Sequence, residues 1–326
     1  MKELVHAGKK EVHYDTLVLK DYLLRIDNDG FIIPSKKYSD PDISMVFLGG
    51  STTECRFVEE ENRFPYLTGT LLERKLGIKI NSYNAARSGN NSLHSLDILI
   101  NKVLPLKPDI VIMMENINDI SILLHEKSYW NKNRSRSVIF NVNDEIVSNF
   151  IKIMRDRWIP YVSAEMRNID RSIRSFRKSD AKANDEFAAT RGKPIPIDKH
   201  LLVEQFEMNL QSLIYLCKAR NIIPVIMTMS SRFKEKPDKI VADAVKDTGV
   251  DYGQFKDLFD TFNESIRKKA KENNIMVIDL ARKIPQEKEF MYDIVHHNDN
   301  GSIKSAEIIS EQLAPLVQQI QSIPKH

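Results

Sequence analysis

Four short, mostly apolar runs punctuate the chain, at 45–48, 109–114, 222–227 and 276–280, and a further strand is expected at about 79–83. Their length and their content of Val, Ile, Met and Phe predict strands buried on both faces. Between them apolar residues recur at helical spacing. Leu67, Leu71, Leu72 and Leu76 mark one helix, with Asn62 to cap it, Pro65 in its first turn and Gly77 at its end. Leu93, Leu96, Leu99, Ile100 and Val103 mark the core side of a second, closed by Pro105 and Pro108. Further helices are expected over about 201–220, 252–273 and 302–320, the last apolar at Ile303, Ala306, Ile309, Leu313 and Leu316. Strand and helix alternate throughout, which predicts an α/β protein: a parallel sheet with helices on both faces.

Two segments depart from this rhythm. In residues 1–40, Leu23-Leu24-Arg25-Ile26 and Phe31-Ile32-Ile33 flank the turn Asp27-Asn28-Asp29-Gly30. That pattern predicts a small hairpin, an N-terminal arm strapped over the core. Between 125 and 200, Tyr129, Trp130, Phe150, Trp158 and Tyr161 are mixed with Arg155, Arg157, Arg167, Arg171, Arg174, Arg177 and Lys178. A structureless loop of that length is unusual inside a domain, so the stretch reads as a helical insertion placed to act as a lid. Its charge fits a solvated helix face, or a surface for an anionic ligand. The domain expectation is an arm at 1–40 and one main domain at 41–326 that carries the insertion at 125–200.

Composition narrows the function. The chain has 326 residues and a formal net charge of +3. Such balance offers no global argument for nucleic acid as a partner. No apolar stretch approaches the roughly 18 residues of a membrane span. The opening Met1-Lys2-Glu3-Leu4-Val5-His6 lacks the apolar centre of a signal peptide, so a cytoplasmic location is the default expectation. Cys55 and Cys217 are the only cysteines, too few for a disulfide framework. Cys55 lies close to Ser51 and reads as a buried, inert thiol rather than a rival nucleophile.

The chemistry concentrates at strand ends. Gly49-Gly50-Ser51 breaks the first strand where open α/β sheets place their ligands. Such a tripeptide is also compatible with a plain turn or with a phosphate-binding loop. Acyl transfer needs a hydroxyl, an imidazole to take its proton, a carboxylate to orient the imidazole, and donors aimed at the oxyanion. Ser51 follows the first strand, Gly89 the second and Asn118 the third; Asp293 and His296 lie between the fifth strand and the last helix. In a flavodoxin-like, three-layer α/β/α sandwich with five parallel strands, the first strand is flanked by the second and third. The loops of Ser51, Gly89 and Asn118 are then neighbours. No Gly-x-Ser-x-Gly elbow, Walker loop or dinucleotide fingerprint occurs, and no His/Cys/Asp cluster has metal spacing. Neither a cofactor nor a metal is expected.

These residues resemble the SGNH or GDSL-type hydrolases over about 44–317. The matching blocks are Gly49-Gly50-Ser51-Thr52-Thr53, then Gly89 within Asn84-Ala85-Ala86-Arg87-Ser88-Gly89, then Asn116-Ile117-Asn118-Asp119, then Asp293-Ile294-Val295-His296 with Gly301 following. Asn116 stands where the family pattern has glycine. The resemblance implies Ser51 as nucleophile, His296 as general base and acid, and Asp293 as its orienting carboxylate. It implies an oxyanion hole from the N–H groups of Ser51 and Gly89 and the Asn118 amide. Asn116 and Arg87 are expected at the substrate, and Asp119 as a tie for its loop. His297 does not fit the spacing to Asp293. The implied activity is that of a serine esterase or acylhydrolase, with acetyl on a carbohydrate oxygen as the first expectation and a small-molecule or glycan ester as partner. The rivals are a glycan O-acyltransferase and a non-catalytic glycan- or phosphate-binding module on the same fold.

Overall fold

Two antiparallel strands, β1 (Lys2–His6) and β2 (Asp21–Arg25), pair ahead of the main sheet. The computed structural model describes residues 14–131, 133, 136, 138 and 193–322, together with the backbone of 2–6. Most of the insertion expected at 125–200, with Phe150, Trp158, Tyr161 and its arginines from 155 to 177, lies outside the described residues. The turn at 27–30 forms as expected, with the Asp27 carboxylate accepting from the N–H groups of Asp29 and Phe31. The ladder partner of β2 is β1, however, and Ile32 makes only single bridges, to Ile26 and to Asn84 at the edge of the main sheet.

The main sheet contains β3 (Ile43–Gly49), β4 (Ile80–Asn84), β5 (Ile110–Met114), β6 (Ile223–Thr228) and β7 (Met276–Asp279). Every neighbouring pair is parallel and the order is β4-β3-β5-β6-β7. This is the five-stranded flavodoxin-like sheet read from the sequence. Met45, Val46, Phe47 and Leu48 are fully buried, as are Ile110, Val111, Ile112 and Met114. Their continuous apolar runs thus reflect cover on both faces.

The helices follow as α1 (Ser51–Glu54), α2 (Phe64–Leu76), α3 (Ser92–Ile98), α4 (Ile117–Glu126), α5 (Lys199–Lys218), α6 (Lys239–Lys246), α7 (Tyr252–Asn273), α8 (Leu280–Lys283) and α9 (Asp299–Gln321). α2 packs on β4 and α9, while α5 packs on α3, α4 and α7. Among the described residues no helix is long and apolar enough to cross a membrane.

The structure adds two short helices, α1 and α6, and corrects two local expectations. The stretch after Ser51 opens as the one-turn helix α1, with Thr52, Thr53 and Glu54 buried. Asn62 does not cap α2: its amide donates to Asp299, and the Phe64 N–H is met by Ser302 Oγ at 2.9 Å. Ile100 is 52% exposed, because a π-helical turn over Leu99–Val103 keeps Leu99 and Val103 inside and turns Ile100 out. α6 buries Val241 and Val245, an i,i+4 pair.

Candidate active site

The sheet order brings the chemistry together by placing β3 between β4 and β5. Ser51 opens α1 immediately after β3. The loop after β4 is tied to the end of β3 by the Ala85 N–H on Phe47 O and the Arg87 N–H on Gly49 O. His296 and Asp293 arrive from a tight turn ahead of α9. In that turn the Tyr292 N–H donates to His296 O, and Asp293 Oδ1 accepts from the N–H groups of Val295 and His296 at 2.9 and 2.7 Å.

His296 Nε2 lies 2.7 Å from Ser51 Oγ, and His296 Nδ1 lies 2.6 Å from Asp293 Oδ2. Burial pushes the Asp293 carboxyl up, but the adjacent imidazole and the donated hydrogen bonds outweigh it and hold the group below its ordinary range. Burial likewise lowers His296, and the Asp293 carboxylate outweighs it, so the imidazole stands above its usual value. An ionised Asp293 only accepts, which puts the imidazole proton on Nδ1 and leaves the Nε2 lone pair facing the serine hydroxyl. The Tyr292 ring stacks on His296 at 5.6 Å between centroids and 10° between planes. Behind this turn, Asp15 pairs with the buried Arg232 through both carboxylate oxygens, and the Asp15 N–H donates to Tyr292 O. The N-terminal segment at 14–16 therefore lies against the loop that carries the imidazole.

Asn118 sits in the first turn of α4, and its amide Nδ2 donates to Asn90 O at 2.7 Å. A Cβ at Gly50 would lie 2.3 Å from that Nδ2, so glycine is what lets the amide settle over the residue preceding Ser51. Gly89 adopts φ +86°, in the region that favours glycine. The turn at Gly89 and Asn90 and the Asn118 amide thus meet beside Gly50, the residue before Ser51, and the imidazole reaches the hydroxyl. Chemically, the arrangement can draw a proton from a serine and offer N–H donors beside it.

Other singled-out residues separate cleanly. Asp119 is fully buried, and its Oδ1 accepts from Ser92 N–H, Ser92 Oγ and Tyr129 OH. Burial pushes its carboxyl up to about 6. Asn116 is also fully buried and turns away from Ser51, donating to Phe259 O and Asn263 Oδ1 on α7 at 3.1 Å each. Arg87 is exposed on the second loop. Cys55 is buried with its thiol pushed up to about 12 by desolvation, the state of an inert thiol. Arg136 and Tyr292 are not singled out by the sequence. Glu54 accepts from Ser88 Oγ beside the site. Arg136 lies in the aromatic and basic stretch, where no spacing distinguishes it from the other arginines.

His297 points inward, with Nε2 2.7 Å from Ser230 Oγ and Nδ1 3.3 Å from Ser305 Oγ. Burial, with the neighbouring His296, lowers it to about 4. The unfolded chain takes that proton below about pH 6.5, so the stabilisation is whole above 6.5 and is lost as pH falls toward 4. We expect a loss of about 3 kcal/mol across that window from this group. Urea unfolding of the protein and of His297→Gln at pH 7 and pH 4.5 checks this. Parallel pH slopes for the two would remove His297 as the cause.

A family model described as "GDSL-like Lipase/Acylhydrolase family" matches residues 47–302. No curated protein matches the chain in sequence. Among solved structures, one described as a GDSL-like lipase from Parabacteroides merdae aligns at TM-score 0.50 and 16% identity, covering 86% of this chain and 99% of that one. A lipase/acylhydrolase from Enterococcus faecalis aligns at TM-score 0.47 and 14% identity, covering 84% and 96%. An acetylxylan esterase from Geobacillus stearothermophilus aligns at TM-score 0.46 and 15% identity, covering 86% and 95%.

Proposed function

The chain belongs to the GDSL-like lipase/acylhydrolase family and is a carboxylic ester hydrolase, and from that premise we propose that Ser51, His296 and Asp293 carry out the hydrolysis. The observation that carries this reading is the unbroken relay from Ser51 Oγ through both imidazole nitrogens to Asp293 Oδ2, at 2.7 and 2.6 Å. In it, His296 Nε2 takes the Ser51 proton as Oγ attacks the ester carbonyl. The resulting imidazolium is stabilised by the buried Asp293 carboxylate. The carbonyl oxygen, now an oxyanion, is met by the N–H groups of Ser51 and Gly89 and by Asn118 Nδ2. Collapse breaks the ester C–O bond, and the imidazolium proton passes to the departing alcohol. Water then attacks the acyl-serine, giving its proton to His296, and the acid leaves as Ser51 Oγ is reprotonated.

We extend the reading to a short acyl group, such as acetyl, carried by a polar alcohol of carbohydrate type. What supports it is the rim: Arg87 and Ser88 are exposed on the loop beside the nucleophile, and Ser88 is hydrogen-bonded to Glu54. In this reading Asn116 shapes the loop under α4 and takes no part in binding.

A fluorophosphonate probe tests the nucleophile directly. The folded protein is expected to take one label, mapped by peptide mass spectrometry to Ser51. Failure to label would turn the assignment to a binding module that shares the scaffold. Asn118→Ala is expected to lower kcat on p-nitrophenyl acetate by about 10²–10³-fold through loss of one oxyanion donor. Full activity in that variant would exclude Asn118 from the oxyanion hole.

A further inference from the structure

We propose that Arg136 is a positioning residue for the oxyanion donors: its guanidinium holds the Asn118 amide and the Gly89 turn in the orientation that the reaction needs. The inference rests on the oxyanion reading of Asn118 above. Arg136 Nη1 donates to Gly89 O at 2.5 Å and to Asn118 Oδ1 at 3.1 Å. The guanidinium lies directly over Gly89, where a Cβ would sit 3.3 Å from Nη1 and 3.4 Å from Cζ.

The consequence for Asn118 follows from its inventory of donors and acceptors. A primary amide carries one oxygen that only accepts and one nitrogen that only donates. A guanidinium only donates and stays charged across the working pH range. With Oδ1 turned to Arg136, Nδ2 is turned to Asn90 O and to the backbone of Gly50. Flipping the amide would set donors against the guanidinium and Oδ1 against the Asn90 carbonyl, replacing two attractive contacts with two repulsive ones. One Nδ2–H is spent on Asn90 O, and the other remains to be aimed beside Ser51. A cation on Oδ1 also draws electron density from the amide, making Nδ2–H a stronger donor to a developing negative charge. The same nitrogen on Gly89 O stiffens a residue whose φ of +86° has few local restraints of its own. Arg136 is thus joined to two of the three proposed donors while belonging to none of the sequence blocks that carry them.

The test compares kcat and KM on p-nitrophenyl acetate for wild type, Arg136→Ala, Arg136→Gln, Asn118→Ala and the double variant Arg136→Ala/Asn118→Ala. Both Arg136 variants are expected to lose about 10- to 100-fold in kcat, with KM changed by less than about threefold, as for removal of a charge-assisted hydrogen bond that acts on the transition state. In the Asn118→Ala background, loss of Arg136 should cost clearly less than in the wild-type background, because only its bond to Gly89 O is left to lose. A merely structural clip moves the melting temperature without this coupling. Arg136→Gln keeps the side-chain stem, so it decides the matter if Arg136→Ala does not fold. The proposal is overturned if kcat in the folded variants stays within about twofold of wild type, or if the full single-variant loss recurs without Asn118. Impaired Asn118→Ala beside unimpaired Arg136 variants removes this inference alone. Fully active Asn118→Ala removes the oxyanion reading and this inference with it.

Discussion

Replacing Ser51 by alanine is expected to lower kcat/KM on p-nitrophenyl acetate by about 10⁴-fold or more. His296→Ala should do nearly the same, and the double variant should be little worse than either single one, because the pair acts as a unit. The physical reason lies in the proton. A serine hydroxyl is a poor nucleophile until a base takes its hydrogen, and His296 Nε2 is the base within reach, at 2.7 Å. Cys55, four residues on, does not substitute, because its thiol is buried and pushed up to about 12. Fluorophosphonate labelling should vanish in Ser51→Ala and fall steeply in His296→Ala. A Ser51→Ala protein that still hydrolysed ester within tenfold of wild type would place the nucleophile elsewhere.

Asp293→Asn carries the second largest expected loss, about 10³–10⁴-fold in kcat. An asparagine there would keep an oxygen for the N–H groups of Val295 and His296, which now bond Asp293 Oδ1. Its NH₂ would then face His296 Nδ1 and force the imidazole proton onto Nε2. The ring would donate to Ser51 instead of accepting from it, and the hydroxyl would keep its proton. The pH profile separates this from simple misfolding. In wild type the Asp293 carboxylate holds the imidazole above its usual value. Because only neutral His296 can act as base, activity should fall with acidification through a half-point above about pH 6.5. Asp293→Asn should move the half-point of the residual activity downward. A wild-type half-point below 6.5 would contradict the charge pairing, whatever the size of the mutational loss.

Much of this architecture is local information. The β3 and β5 runs are continuous because both faces are covered, and cover on both faces leaves no polar position to interrupt them. α7 begins and ends at Tyr252 and Asn273, where Asp251 caps it and Asn274 takes φ +49°. The loops of Ser51, Gly89 and Asn118 stand out because polar and glycine residues follow each apolar run. Adjacency of those loops follows from strand order, which the alternation of elements already restricts.

What stayed hidden is what depends on a partner far away along the chain. The N–H of Phe64 is met by Ser302, 238 residues later, so no local rule for helix capping reveals it. Asn116 looks in sequence like a member of the site, yet two partners on α7 turn it inward. Ile100 fits a regular helical face and is exposed only because the helix widens after Ile98. Arg136 is one arginine among many until the fold sets it on Gly89 and Asn118. Periodicity determined the strands and most of the helices, because burial of a whole face leaves a repeating mark in the chain. The direction of single polar side chains was decided only in three dimensions, because a hydrogen bond needs one specific partner and sequence distance places no limit on where that partner comes from.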